Sequence, residues 1–330
     1  MTGRAERSAP PPDGVEAIDE AGVAGLVPGR AEDGHKGTFG TLMLVAGSLD
    51  YTGAALLAGT AALRAGAGLA ILAVPASLQP IVAGRVPELI TLGLPERAAH
   101  EVDPGRAAAA VLERRHTALL VGPGLRAGEA TRDLVVALLA AAGGDPAVPA
   151  VVDAEALNAL AALPDWWARV ARPCVLTPHP GEFARLDGPS VAADDGTRVA
   201  RARAAAARWG HVVVLKGART VVAAPGGATA MALGANPALG TGGTGDVLAG
   251  TIGSLLAQGV PPWDAARLGV HLHATAGDHV RERLGDAGLL ASDLLAELPR
   301  VRRHLARMAE RRAPDRRPLG FAIRRPDADP

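Results

Sequence analysis

Short apolar runs recur along the chain, each closed by glycine or a polar residue and most followed by a stretch of helical character. Thr41–Ala46 (TLMLVA) reads as a buried strand, Gly53–Ala65 as an Ala/Leu-rich helix and Leu69–Val74 (LAILAV) as the next strand. Thr117–Val121 ends in Gly-Pro-Gly before a helix over Glu129–Ala142. Ala150–Val152 ends at Asp153 before a helix near Glu155–Leu163, and Cys174–Leu176 ends at Thr-Pro-His-Pro-Gly. Val212–Leu215, Thr220–Ala224 and Ala228–Ala232 follow one another across glycine turns, and Thr244–Ala257 and Trp263–Arg283 read as two long helices.

Strands alternating with helices predict βαβ units and a mostly parallel sheet. The right-handed crossover rule places helices on both faces, a three-layer α/β/α arrangement, with antiparallel strands expected near residues 212–232. In open sheets of this kind, ligands bind outside the carboxyl ends of the strands. Gly47-Ser48, Gly122-Pro123-Gly124, Asp153, Thr177–Glu182 and Lys216-Gly217 each directly follow an apolar run, so they converge on one sheet edge.

The ends read differently. Met1–Gly14 is Pro-rich and predicted disordered, and Val15–Leu26 reads as a short helix, so residues 1–32 form a leader to a domain at 33–300. Residues 301–330 are Arg-rich and predicted to be a solvated, disordered tail. Met1–Glu20 carries acids and prolines where a secretory signal needs an apolar core. Tyr51–Leu63 and Val247–Val260 fall short of the ~18 apolar residues of a membrane span.

Composition narrows the function. With 34 basic against 34 acidic residues there is no bulk electrostatic case for nucleic acid or an anionic membrane as partner. Aromatics at 2% argue against base-stacking platforms. The single cysteine, Cys174, excludes an intramolecular disulfide framework and fits a reducing cytoplasm. Only two of the 34 cations are lysines, Lys36 and Lys216, so each stands out as a compact point charge.

Asn236–Gly250 (NPALGTGGTGDVLAG) is the most informative segment. Gly242, Gly243, Thr244 and Gly245 head a helix, where successive backbone N–H groups make an anion hole for a phosphate or developing oxyanion. Asp246 beside them is the candidate base for a hydroxyl undergoing phosphorylation; four nearby glycines exceed what an Asp N-cap requires. Gly240–Gly245 also satisfies G-x-G-x-x-G, but no strand precedes it and Asp264 opens a helix, so the dinucleotide-fold reading fails on context.

Lys216 opens Lys-Gly-Ala-Arg-Thr220, which reads either as a nucleotide phosphate and ribose site or as a hairpin turn with a solvated lysine. His179 lies between two prolines with Glu182 three residues on, and reads as substrate-facing. His271 and His273, two apart, should point to different sides of a helix, and no metal site fixed by the protein is expected. Asp153 with Asn158 reads as a Mg²⁺ or hydroxyl contact, or as a helix cap. His35–Gly40 (HKGTFG) reads as a lid or as a structured loop leading into the first strand.

Together these segments resemble the ADP- or ATP-dependent NAD(P)H-hydrate dehydratases of the ribokinase-like superfamily. The matching stretches run in order from about Asp33 to Asp278: HKGTFGTLMLVAGSLDYTGAALLAGTAALRAGAG, VGPGL, VVDAEALNAL, LTPHPGEF, VLKGART, NPALGTGGTGDVLAG and GVHLHATAGD. The leader is too short for the epimerase domain that family members can carry, so the stand-alone form is expected.

The resemblance implies a ribokinase-like fold and a repair reaction: a nucleotide phosphoryl group turns the ring hydroxyl of hydrated NADH or NADPH into a leaving group, giving NAD(P)H, phosphate and AMP. It places the nucleotide at Lys216, Gly217, Ala218, Arg219, Thr220 and Gly245, and the hydrated dinucleotide at Gly53, Ala54, Ala55, Gly124, His179 and Asp246. It further implies Mg²⁺, ADP or ATP as co-substrate, a homo-oligomer and a cytoplasmic enzyme. A vitamin or sugar kinase on the same fold, and a nucleotide-binding sensor without turnover, are the competing readings.

Overall fold

Runs of valine, leucine and isoleucine bury both faces of a sheet, and that is what the apolar segments of this chain do. The computed structural model describes residues 10–140 and 148–312. The strands are β1 (Glu16–Ile18), β2 (Thr41–Val45), β3 (Leu69–Pro75), β4 (Ile90–Leu94), β5 (Glu96–Ala98), β6 (Glu101–Val102), β7 (Ala118–Val121), β8 (Ala150–Val152), β9 (Cys174–Leu176), β10 (Val212–Leu215), β11 (Val221–Ala223) and β12 (Thr229–Ala232). Ten of them form one sheet in the order β1-β12-β11-β10-β9-β8-β7-β2-β3-β4, while β5 and β6 pair separately. Within the ten-stranded sheet of the described residues only β11 runs against its neighbours, which places the antiparallel element where the glycine turns predicted it.

The helices are α1 (Glu20–Val23), α2 (Thr52–Ala65), α3 (Gln79–Ala83), α4 (Pro104–Leu112), α5 (Glu129–Leu139), α6 (Glu155–Ala161), α7 (Pro180–Asp187), α8 (Asp195–Trp209), α9 (Thr244–Ala257), α10 (Pro262–Leu284) and α11 (Asp293–Arg312). Alternation along the strands divides the apolar residues into two cores. Leu42 and Leu44 pack with α2, α9, α10 and α11 through Ala58, Ile252, Leu272 and Leu305. Met43 and Val45 pack on the opposite face with α4 to α8 through Ala107, Leu134, Leu157, Phe183 and Ala202. The result is the expected α/β/α sandwich. Among the described residues no helix is long and apolar enough to cross a membrane.

The chain departs from β2 outward to β3 and β4, then returns to the other side of β2 for β7, β8, β9 and β10. The order therefore reverses between β2 and β7, and such a reversal opens a crevice at the carboxyl ends. Backbone closeness there needs glycine: Gly122 has φ +127°, and a Cβ on it would fall 1.8 Å from the Asp153 carbonyl. On the α2 face, a Cβ on Gly250 would lie 2.1 Å from the Ala58 carbonyl, so α9 and α2 touch backbone to backbone.

Both chain ends depart from the sequence expectations. The leader is not merely a disordered segment with a helix, because Glu16–Ile18 adds β1 parallel to β12, and the helix shortens to α1 plus a 3-10 turn at Ala24–Leu26. The predicted disorder of residues 301–330 is corrected over 301–312, which continue α11 with Val301 and Leu305 buried. Leu294, Leu298, Val301 and Leu305 recur at helical spacing across Pro299, so a reading that began at residue 301 missed half of the stripe. Residues 1–9, 141–147 and 313–330, and the readings made on them, lie outside the described residues.

Candidate active site

Strand ends deliver most of the chemistry. Lys216 follows β10, and its backbone N–H donates to the Pro178 carbonyl at 2.8 Å, tying the ends of β9 and β10 together. Its ammonium donates to Asp153 Oδ1 at 2.8 Å and lies 3.7 Å from Glu182 Oε2. Asp153, buried after β8, also accepts from the Thr177 hydroxyl at 2.7 Å. Burial works against the Lys216 ammonium, yet the Asp153 and Glu182 carboxylates outweigh it and hold its pKa above the ordinary lysine value.

His179 begins α7. Its Nδ1 accepts from the Gly181 and Glu182 amides at 3.0 and 3.3 Å, while Glu182 Oε2 accepts from the His179 N–H at 2.8 Å, a reciprocal capping box. With Nδ1 an acceptor, Nε2 carries the proton and faces Glu182 Oε1 at 3.4 Å. The half-exposed ring borders the cleft, so one residue both caps a helix and lines the cavity.

Across the cleft α9 begins at Thr244 after Gly243, which has φ +91° and supplies no side-chain cap. The Gly245 and Asp246 amides therefore have no protein acceptor among the described residues, and the positive end of the helix dipole is open. A Cβ on Gly245 would lie 3.6 Å from Lys216 Nζ, which measures how closely the cation faces these amides. Asp246 stands in the same first turn. Burial pushes its carboxyl up to about 7, the Asp153 charge adds to the rise, and Lys216 offsets part of it.

The cavity between these elements holds about 910 Å³ and is bordered by His179, Lys216, Gly217, Ala218, Thr220, Thr244 and Gly245. The Arg219 side chain turns away to an ion pair with Asp195 and donates from Nε to the Ala232 carbonyl, so the loop offers a ligand chiefly its backbone, Lys216 and Thr220. Asn158 joins none of this: its amide donates to Glu155 and accepts from Arg185. Gly53, Ala54 and Ala55 form the first turn of α2, and Gly124 sits against them, a Cβ on it falling 2.6 Å from the Tyr51 carbonyl. His35–Gly40 precedes β2 and lies at the opposite, amino edge of the sheet, where Gly68 meets the Lys36 carbonyl; it is the lead-in loop, not a lid.

Two further residues support the site in roles that the sequence does not disclose. Arg198, buried on α8, donates from Nη2 to the Leu215, Lys216 and Arg219 carbonyls and so clamps the Lys216–Thr220 loop. His273 on α10 has its Nε2 2.9 Å from the Thr244 carbonyl, fixing the start of α9, and burial pushes its pKa down to about 4, so it donates as a neutral ring. Arg198 lies in no motif, whereas His273 lies within GVHLHATAGD, whose sequence does not disclose the bond to Thr244. Both His271 and His273 border the cavity, contrary to the expectation from their spacing.

Unpaired amides, a held cation and a carboxyl near neutrality can move a phosphoryl group onto an alcohol, and the α/β/α sandwich that presents them is ribokinase-like. The chain belongs to the NAD(P)H-hydrate dehydratase family, whose profile matches residues 42–300. It is 45% identical over 291 residues to the bifunctional NAD(P)H-hydrate repair enzyme Nnr of Moorella thermoacetica, covering 86% of this chain and 53% of that protein. It is 40% identical to the ADP-dependent (S)-NAD(P)H-hydrate dehydratase of Xanthomonas campestris, covering 84% of this chain and 93% of that one. The crystal structure of the ADP/ATP-dependent NAD(P)H-hydrate dehydratase of Bacillus subtilis, co-crystallised with ATP and Mg²⁺, superposes with a TM-score of 0.76 at 34% identity, over 89% of this chain and 99% of that one. The chain thus spans about half the length of the bifunctional relatives it matches.

Proposed function

We propose that the protein restores NADH and NADPH from their S-epimeric hydrates, using ADP or ATP as phosphoryl donor. The observation that carries this reading is the carboxyl of Asp246, held near neutrality by burial beside the open amides of α9 and facing Lys216. With ADP, Asp246 takes the proton of the ring hydroxyl as its oxygen bonds to the β-phosphorus, and AMP leaves. The open amides of Gly245 and Asp246 and the Lys216 ammonium neutralise charge on the migrating group, whereas the Thr244 amide of the expected Gly242–Gly245 hole already donates to the Thr241 carbonyl. Phosphate then leaves the ester with the C–O bonding pair, the neighbouring ring carbon loses a proton to form the double bond, and the products balance as NAD(P)H, AMP and phosphate.

The nucleotide lies on the Lys216–Thr220 loop and Gly245. The hydrated ring lies against Gly53–Ala55, Gly124 and His179. Mg²⁺ fits this donor set as an ion carried largely by the nucleotide: magnesium takes one or two carboxylates plus phosphates. Asp153 and Glu182 supply those carboxylates beside Lys216, whereas no three metal-binding side chains group into a cage among the described residues. Bound there, the ion would further neutralise phosphate charge. The protein acts as a homo-oligomer in the cytoplasm, a statement that light scattering on the purified chain checks.

The test is incubation with hydrated NADH, Mg²⁺ and either ADP or ATP, following reduced-nicotinamide absorbance with AMP, ADP and phosphate. The absorbance should rise in step with phosphate release. A stable phosphorylated product with no recovery of absorbance would make the protein a kinase, and no consumption of nucleotide would make it a sensor.

A further inference from the structure

The glycine-rich turn before α9 is open on one side and stopped on the other. A Cβ placed on Gly240 or Gly242 would meet nothing within 4 Å among the described residues. At Gly243, which holds φ +91°, the same atom would fall 2.8 Å from Leu57 Cδ1 and 3.1 Å from Ala291 Cβ. A glycine run has wide backbone freedom, so its neighbours must fix where it points the amides that follow. Leu57 offers the movable end of a long side chain from α2, whereas the buried Ala291 methyl is carried directly on the backbone. One residue on, the Thr244 carbonyl lies 2.9 Å from His273 Nε2 on α10.

Ala291 is itself placed by the junction of α10 and α11, which residues 285–292 connect. Asp293 Oδ2 accepts from the Leu290 N–H at 2.8 Å, and the Ala291 carbonyl accepts from the Leu294 N–H at 3.3 Å, so the connection is fastened to the first residues of α11. One helical turn further, Glu297 is 3% exposed, and a carboxylate so buried needs partners. Its Oε1 accepts from Arg300 Nη1 at 2.9 Å and lies 3.3 Å from Arg283 Nη2, while its Oε2 lies 3.3 Å from His279 Nδ1. Arg283 and His279 belong to α10, so this carboxylate ties the end of α10 to the start of α11 across the connection that carries Ala291. Neither Ala291 nor Glu297 borders the 910 Å³ cavity.

We infer that Ala291 is a positioning residue for phosphoryl transfer: its methyl stops the Gly243 turn so that the Gly245 and Asp246 amides face the migrating group, and Glu297 holds Ala291 in place from outside the cavity. The inference rests on the phosphoryl-transfer reading and adds to it a support that touches neither substrate. Misplacement by about 1 Å in such a site can cost about a hundredfold in rate, so one remote methyl can matter.

The test measures kcat and the KM for ADP, as nucleotide consumption with hydrated NADH, in the wild type, Ala291→Gly, Ala291→Ser, Glu297→Gln and the Ala291→Gly/Glu297→Gln double variant. Ala291→Gly should lower kcat about tenfold or more and leave the KM for ADP within about threefold, because amides aimed at the transition state act on kcat first. Ala291→Ser keeps a Cβ at the contact and should stay within about threefold of the wild-type kcat. Glu297→Gln should lower kcat about threefold or more by itself and no further in the Ala291→Gly background, since both substitutions release the same stop. A folded Ala291→Gly with wild-type kcat, an Ala291→Ser as slow as Ala291→Gly, or losses that multiply in the double variant would overturn the inference. Should Ala291→Gly not fold, Glu297→Gln decides, and a wild-type kcat in that variant rejects the role. A wild type that consumes no nucleotide defeats the phosphoryl-transfer reading instead, a result distinct from all of these.

Discussion

The Lys216 ammonium and the Asp153 carboxylate, 63 residues apart in the chain, meet at 2.8 Å across the carboxyl ends of β8 and β10. Asp153 is nearly inaccessible and Lys216 partly buried, so the ammonium is the carboxylate's principal compensation for lost water. Lys216→Met should therefore destabilise the fold by about 3 kcal/mol or more in urea titrations, because a buried carboxylate loses its counter-ion. Asp153→Asn combined with Lys216→Met should recover much of that stability and none of the activity. A single Lys216→Met variant as stable as wild type would show the pair to be incidental.

Asp246 is expected to govern the acid limb of the rate. Its carboxyl, raised to about 7 by burial, must be ionised to accept a proton, so kcat should fall about tenfold per pH unit below that value and level off above it. Asp246→Asn should lose about 10²–10⁴ in kcat. The same substitution should make the protein more stable at pH 8: a carboxyl with a raised folded pKa binds its proton better in the folded state, and ionising it costs stability as pH rises from about 4 to about 7. A pH–rate profile and paired melting curves at pH 4.5 and 8 check both halves.

Gly245→Ala separates binding from folding. Position 245 lies in the first turn of α9, where alanine is the better helix former by up to about 1 kcal/mol. The added methyl, however, would occupy the space 3.6 Å from Lys216 Nζ that a phosphate needs. The variant should melt no lower than wild type and show a KM for ADP raised at least about tenfold. An unchanged KM would move the phosphate away from this helix end.

Removal of the Arg198 guanidinium should act only through the loop that it clamps. Arg198→Met keeps much of the stem in its buried position and frees three carbonyls, of Leu215, Lys216 and Arg219. The expected outcome is a raised KM for ADP with the pH dependence of kcat unchanged, since Asp246 keeps its surroundings. A shifted acid limb would mean that Arg198 reaches the base itself.

His211 supplies a stability switch unrelated to catalysis. Burial lowers its pKa to about 4, neither ring nitrogen has a hydrogen-bond partner among the described residues, and the ring stacks on Trp166 at 6.4 Å. Between about 6.5 and 4 the unfolded chain binds the proton and the folded one refuses it, so this contribution is present above pH 6.5 and is lost as pH falls through that window. His211→Phe should narrow the difference between urea midpoints at pH 7 and pH 4.5. Parallel curves for the two proteins would exclude the effect.

Legibility in the sequence followed the range of the forces involved. Strands β2, β3, β8, β9 and β10 are apolar on both faces and announce themselves as runs, and the strand-end rule then exposes Asp153, His179 and Lys216 without further knowledge. The three residues of β1 include an acid and carry too little pattern to register, since pairing with β12 makes them a strand. Thr220 is legible as part of a loop, but sequence does not reveal that Asp195 draws the neighbouring Arg219 side chain away. Arg198 and His273 reach the site only through tertiary packing, α8 and α10 having been brought to the cleft by contacts that no local signal encodes.

The contact between Gly250 and the Ala58 carbonyl has a consequence for tolerance. Gly250 lies one helical turn beyond Asp246, and Ala58 one turn beyond Ala54, so the place where the two backbones touch gauges the gap between the starts of α9 and α2. A single methyl at that junction would wedge the two apart like a shim beneath one jaw of a vice. Lineages carrying this domain should therefore be free to vary the faces of α2 and α9 that look outward, while the hydrogen at position 250 stays fixed by the closeness of the two backbones.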